Sequence, residues 1–109
     1  MHNYSKNDVV LVRYPFTDLS SSKIRPAVIV SVPHSSDDIF VVPLTSKTAS
    51  LLSGEFVIAD WNEVGLLVPT AVKRGIYTVN SSLIIKTVGK LSVFDIKRLR
   101  QSLRDWLGF

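Results

Sequence analysis

Apolar residues fall in short β-branched runs along most of the chain and take helical spacing only near its end. Asp8-Val-Val-Leu-Val-Arg-Tyr14 predicts a first strand, ended by the turn-forming stretches Pro15-Phe-Thr-Asp18 and Leu19-Ser-Ser-Ser22. Arg25-Pro-Ala-Val-Ile-Val-Ser-Val32 predicts a second, stopped by Pro33-His-Ser-Ser-Asp-Asp38, whose proline and short polar residues suit a hairpin turn. A third follows at Ile39-Phe-Val-Val-Pro-Leu44. Pro43 has no N–H for a ladder, so this strand must leave the sheet, run along an edge or bulge there, and Thr45 and Ser46 then stand at a strand end. Residues 48–53 read as a flexible stretch, 55–59 as a short strand, 60–65 as a turn leading to Leu66-Leu-Val-Pro69, and 71–79 and 83–88 as two more strands.

After Gly89-Lys90-Leu91 the period changes. Ser92 with Asp95 three residues on occupies the N-cap and N3 positions of a helix, an acidic variant of the capping box. Ile96, Leu99, Leu103, Trp106 and Leu107 then recur at helical spacing, with Lys97, Arg98, Arg100 and Arg104 on much of the remainder. Short antiparallel strands closed by one amphipathic helix predict a mainly β, α+β architecture: a small, strongly bent barrel whose helix covers an opening or flank.

Composition narrows the class. With 109 residues the chain reads as one domain, 1–109, and its 46% apolar and 20% charged content is that of an ordinary globular fold. No cysteine is present, and the two histidines are far apart in sequence, so neither a disulfide framework nor a thiolate or zinc site is expected. Apolar runs are only a few residues long and residues 1–6 lack the layout of a secretory signal, so the expectation is a cytoplasmic protein with no membrane span. Thirteen Lys and Arg against nine Asp and Glu leave a formal charge of +4, which favours polyanionic partners without singling one out.

Several segments, in order, carry a resemblance. Asp8-Val-Val-Leu-Val and Tyr14-Pro-Phe-Thr-Asp18 are followed by Lys23-Ile-Arg-Pro-Ala-Val-Ile-Val-Ser31 and Val42-Pro-Leu-Thr-Ser46. Then come Gly65-Leu-Leu-Val-Pro69, the run Ile-Ile-Lys-Thr-Val-Gly-Lys-Leu-Ser that ends at Ser92, and the closing helix. Over nearly its whole length the sequence resembles the MazF/PemK family of toxin endoribonucleases. The resemblance implies an SH3-like barrel that forms a homodimer in the cytoplasm and is inhibited by a cognate antitoxin of a type II toxin–antitoxin system. It further implies sequence-selective, metal-independent cleavage of single-stranded mRNA, with no cofactor, and it points to Arg25 and Thr45 as the active-site positions.

These residue types suit that chemistry. Internal transfer of RNA needs the 2′-OH to attack its own phosphate, with the backbone positioned, charge on the phosphorus oxygens stabilised and protons moved. Arg25 offers a permanently charged fork of donors to phosphate, and Thr45 can donate its hydroxyl. A solvated charge at a strand start and a strand-end Thr bonded to its own backbone are the structural alternatives. Lys23, Ser46, Lys73 and Arg74 are candidate RNA contacts, with solvated loop charges as the alternative, and Phe16 and Trp61 are candidate platforms for unpaired bases because turn-forming residues surround them. His34, in the predicted turn, reads as a loop residue.

The chain departs from the family where relatives often show an Arg followed two residues later by Asp. Here the run is Val72-Lys73-Arg74-Gly75, so the carboxylate base is missing and the proton acceptor is open. Two alternatives follow: a non-enzymatic CcdB-like toxin that binds a protein such as DNA gyrase, and a degenerate relative that binds RNA or antitoxin without cutting.

Overall fold

The computed structural model describes residues 4–14, 23–32 and 34–109. Seven strands form one antiparallel sheet: β1 (Asp8–Tyr14), β2 (Lys23–Ile29), β3 (Asp38–Thr45), β4 (Phe56–Val57), β5 (Ala71–Val72), β6 (Tyr77–Asn80) and β7 (Ile84–Lys90). A helical turn, α1 (Trp61–Val64), lies between β4 and β5, and α2 (Val93–Leu107) ends the chain. The spatial order is β4-β5-β3-β2-β1-β7, with β6 paired to β3 off this path. No helix among the described residues is long and apolar enough to cross a membrane.

The β-branched runs are continuous because both faces of the central strands are buried. Val9, Val28, Val42 and Leu44 face one apolar cluster with Phe56, Ile58, Val72 and Leu99, and α2 packs there through Ile96, Leu103 and Trp106. Val10, Val12, Ala27, Ile29 and Val41 face a second cluster with Val79 and Ile84. Burying each such side chain contributes about 1.5–3 kcal/mol, so these three strands hold most of the fold's hydrophobic stabilisation.

The mainly β architecture with a C-terminal helix is as expected, but the sheet is not closed into a barrel by hydrogen bonding: among the described residues no ladder joins β4 to β7. α1 follows β4 in the chain and packs against β7. A Cβ at Gly89 of β7 would collide with the Val64 carbonyl oxygen, so the helical turn and β7 meet backbone to backbone. Gly65, at φ 109, caps the turn in the left-handed region that favours glycine. The segment read as a plain turn at 60–65 is therefore a helical wedge.

Pro43 marks a division within β3. Residues 38–41 pair with β6, whereas Leu44 and Thr45 pair with β5 on the same side of the strand. Between the two ladders Pro43 presents only its carbonyl, which accepts from the Lys73 N–H at 3.0 Å. The expected 71–79 strand is thereby split into β5 and β6, with residues 73–76 looping out between them. α2 is anchored where the capping pattern placed it: the Ser92 hydroxyl accepts from the Asp95 N–H at 3.2 Å.

Candidate active site

The division of β3 opens a cleft of about 890 Å³ beside the strand's C-terminal end. Arg25 and Pro26 of β2, Thr45 at the end of β3, Ser46 and Lys47 beyond it, Lys73 after β5, and Lys86 and Thr87 of β7 all line it. Sequence separations of tens of residues collapse here because β2, β3 and β5 are neighbours in the sheet. Arg25 lies opposite Val12 in register, Leu11 lies between Pro26 on one side and Lys86 on the other, and Thr45 pairs with Ala71.

The electrostatics of the cleft are one-sided. Arg25, Lys47, Lys73 and Lys86 line it, and no Asp, Glu or His stands among its described lining residues. The ion pairs of the described residues lie elsewhere: Lys90 with Asp8 at 3.0 Å, and Arg98 with Asp95 at 3.1 Å. Cations without a paired carboxylate, gathered at one concavity, make it a ready site for an anion. The lining also carries no carboxylate or imidazole to hold a divalent cation, so the donor set suits phosphate rather than a metal.

Thr45 makes the local bond that its structural alternative predicts. Its Oγ1 accepts from the Lys47 N–H at 3.1 Å, the local bond expected of a strand-end Thr. A hydroxyl that accepts one bond still has its proton to donate, so this contact orients Thr45 without consuming the donor a phosphate oxygen needs. Tyr14 and Tyr77 form an apolar wall of the cleft, their rings edge to face at 6.4 Å and 71°. Burial, with Tyr77 adding to it, pushes the Tyr14 phenol above its ordinary range, so it stays protonated near neutrality and cannot serve as a base.

The remaining sequence candidates separate. Lys23 is exposed at the start of β2 and is not among the cleft-lining residues. Arg74 is also outside the lining; its backbone N–H donates to Glu55 Oε2 at 2.8 Å. Trp61 is partly buried, packs against the larger core cluster and is not among the cleft-lining residues. Phe16 lies outside the described residues. Lys47 and Lys86, not singled out in the sequence, line the cleft. Only the register of β7 against β1 brings Lys86 in.

Gly75 has φ 151, a conformation that side-chain-bearing residues rarely adopt, so a carboxylate cannot be restored there without backbone strain. Glu55 is the nearby carboxylate, and its oxygens accept from the N–H groups of Leu52 and Arg74 at 2.7 and 2.8 Å. The bond from Arg74 foremost holds its carboxyl below the ordinary range, which makes it a poor proton acceptor.

Comparison with known proteins agrees with this architecture. The model for PemK-like, MazF-like toxins of type II toxin–antitoxin systems matches residues 5–107. No curated protein matches the chain in sequence. Among solved structures, a mycobacterial endoribonuclease in complex with its cognate antitoxin superposes at a TM-score of 0.74 with 18% identity, over 97% of this chain and 96% of that one. The Mycobacterium tuberculosis toxin MazF-mt6 gives 0.74 with 17% identity over 94% and 97%. A MazE–MazF crystal structure from Deinococcus radiodurans gives 0.79 with 14% identity over 100% and 99%.

Proposed function

The chain belongs to the family of PemK-like, MazF-like toxins of type II toxin–antitoxin systems, and from that premise we propose that it is a metal-independent, sequence-selective endoribonuclease acting on single-stranded mRNA in the cytoplasm. The observation that carries this reading is the cleft in which Arg25, Thr45 and three lysines converge without a carboxylate among the described lining. In the proposed reaction the 2′-OH attacks the adjacent phosphorus, the bond to the 5′ oxygen breaks, and a cyclic 2′,3′-phosphate and a 5′-hydroxyl are left. Arg25 stabilises the charge that grows on the phosphorus oxygens, a role whose loss costs about a hundred- to a thousandfold in rate. Thr45 donates to the same phosphate, and Ser46 and Lys73 hold the backbone around it.

The described lining holds no carboxylate or imidazole, so in this reading the 2′-OH proton leaves to solvent, the departing 5′ oxygen takes a proton from water, and cleavage accelerates as hydroxide rises. Antitoxin binding is supported by the solved relative bound to its cognate antitoxin. An acidic antitoxin segment laid across the cations would exclude RNA from the cleft. Two copies of the chain form the working unit in this reading; exposed Phe40, Ile76, Leu107 and Phe109 border a second groove between α2 and β3 and supply apolar surface for association.

The test is incubation of purified protein with long mixed-sequence single-stranded RNA in EDTA, beside Arg25→Ala. Cuts at a recurring short sequence with cyclic phosphate ends, lost in the variant, are expected. Intact RNA from folded protein refutes the reading. The glycine at position 75 favours one second reading, a relative that binds RNA or antitoxin without cutting; RNA binding with no cleavage by either protein would establish it.

A further inference from the structure

The cleft carries more positive charge than one reacting phosphate can use. A phosphodiester bears a single negative charge and two free oxygens, and Arg25 with the Thr45 hydroxyl already supplies donors for those. Lys47, Lys73 and Lys86 remain, each on a different segment and none in an ion pair with a described residue, with Glu55 close enough to Lys73 to share its charge. Lys86 stands on the far side of β1 from β2, since Leu11 faces Pro26 on one side and Lys86 on the other. Two strand spacings, about 10 Å, thus separate the backbones of Arg25's strand and Lys86's. Lys47 follows Thr45 by two residues, beyond the end of β3, and also lines the cleft.

Resting on the nuclease reading, we infer that Lys86 and Lys47 bind phosphates flanking the scissile one, so that the cleft holds a run of about four consecutive phosphodiesters, one for each cation. Lysine suits this task and arginine the central one. An ammonium on a flexible stem is a point charge that tolerates varied phosphate positions, whereas the planar fork of Arg25 fixes a geometry. The site is therefore graded: an oriented donor pair at the reacting phosphate and adaptable charges on either side. It also follows that the ligand spans several nucleotides, because a mononucleotide leaves most of the charge uncompensated.

The test uses single-stranded 2′-O-methyl oligonucleotides, which cannot be cut, with one to eight phosphates, and follows fluorescence anisotropy over a salt series. Affinity is expected to climb with each phosphate to about four and then level, with a log–log salt slope near −3 for the longer strands, from about 0.7 per neutralised phosphate. Lys86→Gln, with unchanged circular dichroism and melting temperature, is expected to reduce the slope by about 0.7 and the affinity about tenfold at low salt. On cleavable RNA its loss should fall mainly in KM, while Arg25→Ala loses kcat. An affinity that levels at one phosphate, an unchanged slope in Lys86→Gln, or a loss confined to kcat overturns the assignment and leaves the nuclease reading intact. Strong binding of polyglutamate with no binding of RNA overturns it in favour of a protein-docking face. The predicted slopes without any cleavage leave the flanking-phosphate assignment standing and remove the nuclease.

Discussion

Asp95 is fully buried, and its carboxylate ties α2 to the end of β4. Its two oxygens accept from the Ala59 N–H at 3.1 and 3.0 Å, from the Asp60 N–H at 3.4 Å, from the Ser92 hydroxyl at 3.3 Å and from Arg98 Nη1 at 3.1 Å. Arg98 in turn donates to the Val57 carbonyl at 3.1 Å and lies 4.1 Å over the Phe56 ring. Asp95→Ala removes the acceptor from two backbone N–H groups and leaves a two-thirds buried guanidinium without its counter-charge, for which about 3–5 kcal/mol is the ordinary cost. For a domain of this size that lowers the melting temperature by roughly 12 °C or more, at about 4 °C per kcal/mol as the lower bound. Asp95→Asn keeps the shape and one oxygen but loses the charge, and should cost about 1.5–3 kcal/mol. Urea unfolding of both variants, of Arg98→Ala and of Asp95→Asn/Arg98→Ala measures these values and their coupling, which should exceed about 0.5 kcal/mol because the pair is in contact. An Asp95→Asn variant within about 0.5 kcal/mol of the parent would refute the reasoning, since that is the ordinary scatter of surface changes.

Three further outcomes are expected. Gly89→Ala drives a methyl into the Val64 carbonyl and should destabilise by about 3 kcal/mol, the upper range for overpacking, read by thermal melting; a shift under about 1 kcal/mol would mean that α1 yields easily. Glu55 is held below its ordinary range by the Arg74 and Leu52 N–H groups, so the stability it contributes is present above its unfolded value near 4.5 and is lost as pH falls through the lower folded value. Urea midpoints of the parent and Glu55→Gln should therefore differ at pH 7 and converge by about pH 3; a constant difference would contradict the assignment. For cleavage, kcat/KM should rise about tenfold per pH unit between about pH 6 and 8 if the proton leaves to hydroxide, and a flat profile would instead identify a carboxylate acceptor.

Much of this protein was legible in local patterns. The β-branched runs located β1, β2 and β3, because the stretches of these strands that are buried on both faces are apolar at successive positions, and Ser92 with Asp95 marked the start of α2 through a bond between residues three apart. Pro43 announced a break in β3, since a residue without an N–H cannot continue a ladder. Arg25 and Thr45 stood out by their place in motifs, and they do line one cleft. Other features required the chain to be folded. Asp95 read as a helix cap, yet its carboxylate is also a long-range anchor that accepts from the Ala59 and Asp60 N–H groups, thirty-five residues and more away. Trp61, flanked by turn formers, looked exposed, and α1 sets it partly against the core. The close backbone approach of Val64 to Gly89, which seats α1 on β7, is a contact that no periodicity records. Lys86 is one lysine in a strand until antiparallel pairing sets it across Leu11 from Pro26. Short-range hydrogen bonding and hydrophobic period act between neighbours and so are written in order along the chain; the cleft is made of charge brought together by register, which exists only once the strands have paired.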